Sequence, residues 1–181
     1  MIEAATELFA ERGPAAVSLR EVAHAADVNL GLIHRHIGSK TDLLVAVLEA
    51  RPGMSAADQF RSPEEIAAFL LGAGDEPPAY TLILLRAALD GYDLTALGVE
   101  FPLMARTSAG LRSRLGPVDA DLRTALATAM LLGWHALGHT LIDVFGHGDV
   151  PHADVTRSLE PAVAALLSAR SSKRMTVTPD R

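Results

Sequence analysis

Cysteine is absent from the chain, which excludes a disulfide framework and thiolate chemistry. Aromatic residues are scarce, at 4% of the total. Ala and Leu are abundant, and that mixture favours helices over sheets. Positive charge is in short supply: 16 Lys and Arg stand against 22 Asp and Glu, for a net charge of −6. Such a balance argues against indiscriminate nucleic-acid binding. Long hydrophobic runs are missing too. The longest, Ala125 to Trp134, covers ~10 residues and is too short to span a bilayer, so no membrane partner is expected. The opening Met1-Ile2-Glu3-Ala4-Ala5 lacks the positive segment of a signal peptide, and a cytoplasmic location is expected. No nucleophile–base pair, phosphate loop or paired-carboxylate pattern stands out, so neither an enzyme nor a bound cofactor is expected.

What is present is helical periodicity with clear punctuation. Ile2, Ala5, Leu8 and Phe9 form one stripe of a helix from Ile2 to Arg12 that Gly13-Pro14 ends. Ser18 reads as an N-cap, with Glu21 three residues on completing a capping box. Leu19, Val22, Ala23 and Ala26 make the buried face of that second helix. Asp27-Val28-Asn29 breaks the pattern, and Asn29 caps a third helix to about Ile37. Within it Ile33 and Ile37 pack inward, while Leu30, His34 and Arg35 point elsewhere. Ser39 or Thr41 then caps a helix from Asp42 to Glu49. The pair before Asp42 outlines a helix-turn-helix, whose second helix lies in the DNA major groove. Residues 1–50 are acidic overall, but Arg12, Arg20, Arg35 and Lys40 gather around the motif.

Arg51-Pro52-Gly53 marks a domain boundary. Beyond it, Ser62-Pro63-Glu64-Glu65 starts a helix to Leu71, and Pro77-Pro78 opens one to Asp90. A further helix is expected over Leu94 to Leu115, kinked or split at Pro102. The longest should cover Asp119 to Phe145, and the last Asp154 to Arg170, disturbed by Pro161. The expected organisation is a DNA-binding domain over 1–50, a helical domain over 51–170 and a disordered tail over 171–181.

The order and spacing of Ala4-Ala5-Thr6-Glu7-Leu8-Phe9-Ala10-Glu11-Arg12-Gly13, Ser18-Leu19-Arg20-Glu21-Val22-Ala23, Val28 to Ile37, and Ser39-Lys40-Thr41-Asp42-Leu43-Leu44 resemble the tetracycline-repressor-like (TetR) family of bacterial regulators. The resemblance covers about the first fifty residues. It implies an all-α fold: a three-helix helix-turn-helix domain followed by a helical bundle for ligand binding and dimerisation. It further implies a transcriptional regulator, a repressor in the usual case. Its partners would be a second copy of the chain, pseudo-palindromic double-stranded operator DNA and a small-molecule effector that releases the DNA. Ser18, Arg20, Asn29, Leu30, Gly31, His34, Arg35, His36 and Lys40 would form the DNA-contacting set. Arg35 can reach a guanine edge bidentately and Lys40 suits a phosphate. The chain departs from the family in two respects. It begins inside the first helix, where the family carries a basic arm ahead of it, so either the true start lies upstream or fewer phosphate contacts are expected. His34 stands where the family commonly has Tyr, and Ile37 where it has an aromatic.

The C-terminal half offers weaker signals. Tyr80, Phe101, Met104 and Trp134 are the bulky groups available to line an effector cavity, with Arg86 and His135 to orient a ligand; ordinary core packing is the competing reading for each. Ala125, Ala129 and Gly133 form a small-residue stripe that permits close helix approach. Together with Val163 and Leu167 on the last helix they are candidates for the dimer interface, against plain intramolecular packing. His135, His139 and Asp143 lie at i, i+4 and i+8, with His147 and His152 just beyond. A divalent metal site there is the alternative to a polar strip. No metal site is expected on the main reading. Two other functions therefore compete with the regulator: a metal-dependent protein using the His135/His139 face, and a family member that has lost DNA binding.

Overall fold

A computed structural model of the protein describes residues 1–50, 62, 65–66, 71 and 78–168. Among these the fold is entirely helical. The first four helices are α1 (Ile2–Arg12), α2 (Leu19–Ala25), α3 (Leu30–His36) and α4 (Lys40–Ala50). Then come α5 (Ala79–Leu89), α6 (Pro102–Leu115), α7 (Pro117–Val144), α8 (His152–Ser158) and α9 (Glu160–Leu167).

Short polar bonds fix the entrances of α2, α3 and α4. Ser18 accepts from the Glu21 N–H, and the Glu21 carboxylate accepts in return from the Ser18 N–H at 2.8 Å, the capping box expected. Asn29 Oδ1 accepts from the Gly31 N–H at 2.7 Å. Ser39 and Asp42 repeat the reciprocal pattern, so Ser39 rather than Thr41 opens α4, which starts at Lys40 and not at Asp42. Between α2 and α3 the chain makes a Schellman turn: Val28 N–H to Ala23 O at 2.9 Å and Asp27 N–H to His24 O at 3.2 Å. Asp27 occupies the left-handed position, at φ 50°, where glycine is usual.

One core joins both halves of the protein. Ala5, Phe9, Val22, Ile33, Leu43, Leu44, Val47 and Leu48 pack with Ile83, Leu84, Ala87 and Val99. α5 thus lies against α1 and α4. Gly13, at φ 82°, lets the loop after α1 approach the end of α5: a Cβ there would stand 3.1 Å from Asp90 Oδ2. That carboxylate accepts from the Ala15 N–H at 2.8 Å. A second core holds Leu111, Ala120, Ala127, Leu131, Val163 and Leu167. Ser108, Arg112 and Asp121 tie α6 to α7, with Arg112 3.1 Å from the Asp121 carboxylate.

The C-terminal helices differ from their expected spans in two places. Residues 94–98 form a turn and not the start of α6, because Asp93 Oδ1 holds the N–H groups of Thr95 and Ala96 and the chain reverses at Gly98, φ 71°. Proline sets the true start of α6, at Pro102. The single helix expected over Asp154 to Arg170 is two, broken at Leu159 ahead of Pro161. Ser62 accepts from the Glu65 N–H at 3.0 Å, as its capping role requires. Residues 63–64 and 67–70 of that helix, the boundary at 51–53 and the tail 171–181 lie outside the described residues.

At 28 residues α7 is long and apolar enough to cross a membrane, by length and composition alone. The uninterrupted run of Ala125 to Trp134 understates it, since the apolar pattern continues past His135 and His139.

Candidate nucleic-acid interface and apolar cavity

Ile33 is fully buried and anchors α3 against the first core. The helical period then decides what faces out. Gly31, Leu32, His34, Arg35 and His36 are exposed, together with Arg20 on α2 and the capping residues Ser18 and Asn29. Arg20 and Arg35 form no ion pair or side-chain hydrogen bond among the described residues, so both guanidinium forks are free for DNA. The planar Arg35 fork suits the two acceptors of a guanine edge.

Several members of the expected set are occupied differently. Leu30 does not face outward: it is half-buried and packs on the first core, in register with Ile33 and Ile37. Leu32, absent from the expected set, is 44% exposed beside Arg35 and His36. The same periodicity that placed Ile33 and Ile37 inward could have found this exchange. A leucine there suits a thymine methyl. Lys40 donates from Nζ to Ala15 O at 3.0 Å, so one of its three donors is held inside the protein. The Ser18 hydroxyl donates to the Glu21 carboxylate at 2.7 Å and is not turned to a ligand. His34 Nδ1 lies 3.1 Å from Gly38 O. A carbonyl only accepts, so Nδ1 carries the proton and the neutral ring offers Nε2 as an acceptor. Donation from Nε2 to a phosphate then requires the imidazolium.

Arg12 pairs with Glu21 at 2.7 Å and donates to Ala16 O at 3.2 Å. The Ser18 N–H, the Ser18 hydroxyl and Arg12 together pull the Glu21 carboxyl down to about 2. Ser39 lowers Asp42 in the same way, through its N–H first and its hydroxyl second. Both acids serve the helix starts and stay ionised at neutral pH.

A cavity opens on the far side of α5. It encloses about 650 Å³, counting its open mouth, between α5, the start of α6 and the middle of α7. Of the residues expected there, Tyr80, Phe101, Met104 and His135 line it; Arg86 and Trp134 do not. Arg86 lays its aliphatic stem beside Gly13 at the α1–α5 contact. Trp134 turns away on α7, its Nε1 donating to the buried Thr156 hydroxyl at 2.8 Å to hold α8.

The residues expected at a dimer interface divide sharply. Ala125, Ala129 and Gly133 are exposed on α7, within a face that also shows Leu126, Leu137, Leu141 and Val144 at 45–73% exposure. Val163 and Leu167 are at most 1% exposed and belong to the second core, so they are not available to a partner. On the same helix His135 faces the cavity while His139 and Asp143 are exposed. No three His, Asp or Glu side chains among the described residues form a metal-holding group.

Comparison with known proteins accords with this geometry. The family model for bacterial regulatory proteins of the tetR family matches residues 1–47. An HTH-type transcriptional repressor of Mycobacterium tuberculosis is 36% identical over 168 residues, covering 92% of this chain and 87% of that protein. An HTH-type transcriptional regulator of Mycobacterium bovis matches to the same extent. Among solved structures, the TetR family transcriptional regulator PfmR of Thermus thermophilus superimposes with a TM-score of 0.51 at 20% identity. That match covers 90% of this chain and 95% of the other.

Proposed function

Since the chain belongs to the TetR family and is a DNA-binding transcriptional regulator, not an enzyme, we propose that it is a cytoplasmic homodimeric repressor released by a small molecule. Each subunit would set α3 into one of two successive major grooves of a pseudo-palindromic operator, about 34–36 Å apart. The observation that carries this reading is the outward face of α3. Leu32, Arg35 and His36 stand exposed over a buried Ile33, and the guanidinium groups of Arg35 and Arg20 are exposed and without an ion pair among the described residues. The repressing direction is supported by the Mycobacterium tuberculosis relative, which is named a repressor.

Dimerisation draws on the exposed apolar face of α7. Small residues along its middle allow close approach of a second helix, and a continuous apolar patch of this kind marks an interaction surface. Effector release draws on the cavity, because α5 is one wall of it and also part of the core that seats α1 and α4. Tyr80 and Leu84 belong to both. A molecule that moved α5 would move the reading heads with it.

Titration against the DNA upstream of its own gene tests the proposal. Binding should be sequence-specific and weaken steeply with salt. Arg35→Ala should lower the affinity ~10–100-fold and relax the preference at one position of each half-site. Equal affinity for a shuffled duplex would refute it.

A further inference from the structure

The exposed His34 has one ring nitrogen committed to the protein. Nδ1 donates to Gly38 O at 3.1 Å, so in the neutral ring Nε2 holds a lone pair and no proton. Successive side chains on a helix point about 100° apart. With Arg35 turned to the base edges, His34 and His36 lie on opposite flanks of α3, where a groove-bound helix meets the sugar-phosphate walls. A phosphate oxygen only accepts. A neutral His34 would set lone pair against lone pair, whereas the imidazolium offers a charge-assisted N–H. His36 differs: neither of its nitrogens is held among the described residues, so its neutral ring can carry the proton on either one. No ionisable group among the described residues bonds to or pairs with His34. Around α3, Glu21 and Asp42 are held by Ser18 and Ser39, Lys40 by Ala15 O and Arg12 by Glu21. Arg20, His24, Asp27, Arg35 and the α1 acids Glu3, Glu7 and Glu11 make no contact of that kind with it.

We infer that His34 is a phosphate contact that forms only as the imidazolium, so that each reading head takes up a proton as it binds the operator and the protein grips DNA more tightly as pH falls from 8 to 6. The inference rests on the reading of α3 as the groove-binding helix. Histidine is the side chain whose charge changes in this range. A phosphate beside Nε2 favours the charged ring, so the contact is present at the acid end of the range and lost as pH rises. Gly38 O keeps its bond throughout, because Nδ1 carries a proton in both forms. Two heads on one operator make the dependence twice as steep as one.

Fluorescence-anisotropy titration of the full chain with a duplex of the DNA upstream of its own gene, at fixed ionic strength and at pH 6, 7 and 8, tests this. The unaltered protein should bind ~10-fold or more tightly at pH 6 than at pH 8. His34→Gln, whose amide donates at any pH, and His34→Lys, charged throughout, should each lose most of that gain, and His36→Gln should keep it. Calorimetry at pH 7.5 in two buffers of different ionisation heat counts the protons: uptake approaching about two per dimer is expected for the unaltered protein and should vanish in His34→Gln. A flat profile, no proton uptake by the unaltered protein, or an equal gain in a folded His34 variant overturns the inference and leaves α3 standing as the reading helix. Binding no stronger than to a shuffled duplex at every pH refutes the groove-binding reading as well.

Discussion

The reading head and the C-terminal helices are built by different means. In the head, three helix entrances within 25 residues are closed by a side chain bonding a backbone N–H two or three positions on: Ser18 with Glu21, Asn29 with Gly31, Ser39 with Asp42. Two of those helices are seven residues long, too short to hold without such caps and a packed face. Beyond residue 78 no described helix has a side-chain cap; proline sits within one residue of the starts of α5 to α9. Those helices are placed by apolar packing, and the longest leaves an apolar face uncovered. The head is specified locally, from within one chain. On the function proposed above, the body would be completed by what it meets, a second subunit on one face of α7 and a ligand on the other.

The strongest challenge to that contrast is a charge on the uncovered face. Leu137→Glu should sediment as a folded monomer, and operator affinity should fall ~10²-fold or more, because two linked heads bind far better than one. A dimer that survives the change would mean that the body does not depend on this face. Ser18→Ala should act only on the head, lowering its stability by about 1 kcal/mol in thermal unfolding and leaving the sedimentation of the dimer untouched. Acid sharpens the same point. Glu21 falls from 4.5 to about 2 in the folded head. The gain is therefore complete above about 4.5 and is lost as pH drops from there towards 2. Circular dichroism should show this acid limb, flattened in Glu21→Gln.

Asp90 probes the join between the regions. An acid at a helix C-terminus opposes the helix dipole, and here it is balanced by the Ala15 N–H. Asp90→Ala should cost about 0.5–1 kcal/mol, whereas Asp90→Asn, which keeps an acceptor, should be close to neutral. The smallest effect is expected at Asp27, whose φ of 50° suits glycine better. Asp27→Gly should raise stability by about 0.5 kcal/mol with operator binding unchanged.

How much could be read in advance follows from the same contrast. The head was legible because each cap and its partner are neighbours in sequence. The exception is Leu30, expected to point outward although its spacing from Ile33 and Ile37 puts it on the inward stripe, with Leu32 exposed in its place. In the body, the spans of α5 and α7 were legible from proline and periodicity. The Asp93-capped turn passed for a helix start because both begin with the same side-chain-to-backbone bond. Tyr80, Phe101, Met104 and His135 were found by chemistry, but so were Arg86 and Trp134, which point elsewhere. Which way a side chain on a packed helix points depends on the neighbouring helix, and sequence distance does not supply that. Val163 and Leu167 show the same limit: an apolar stripe says that a face is covered, not whether its cover is the same chain or another.

The shared core and the grip on Ala15, held at its N–H by Asp90 and at its carbonyl by Lys40, bear on how the protein can be cut and recombined. A fragment ending at residue 50 would expose the flank of α1 and α4 that α5 covers. A chimaera that grafts this head onto another regulator's body needs to carry residues 78–99 along, with Asp90 in place, or supply an equivalent helix. The natural seam for transplanting its DNA specificity lies after α5 and its closing turn, well downstream of the Pro-Gly pair that marks the boundary in the sequence.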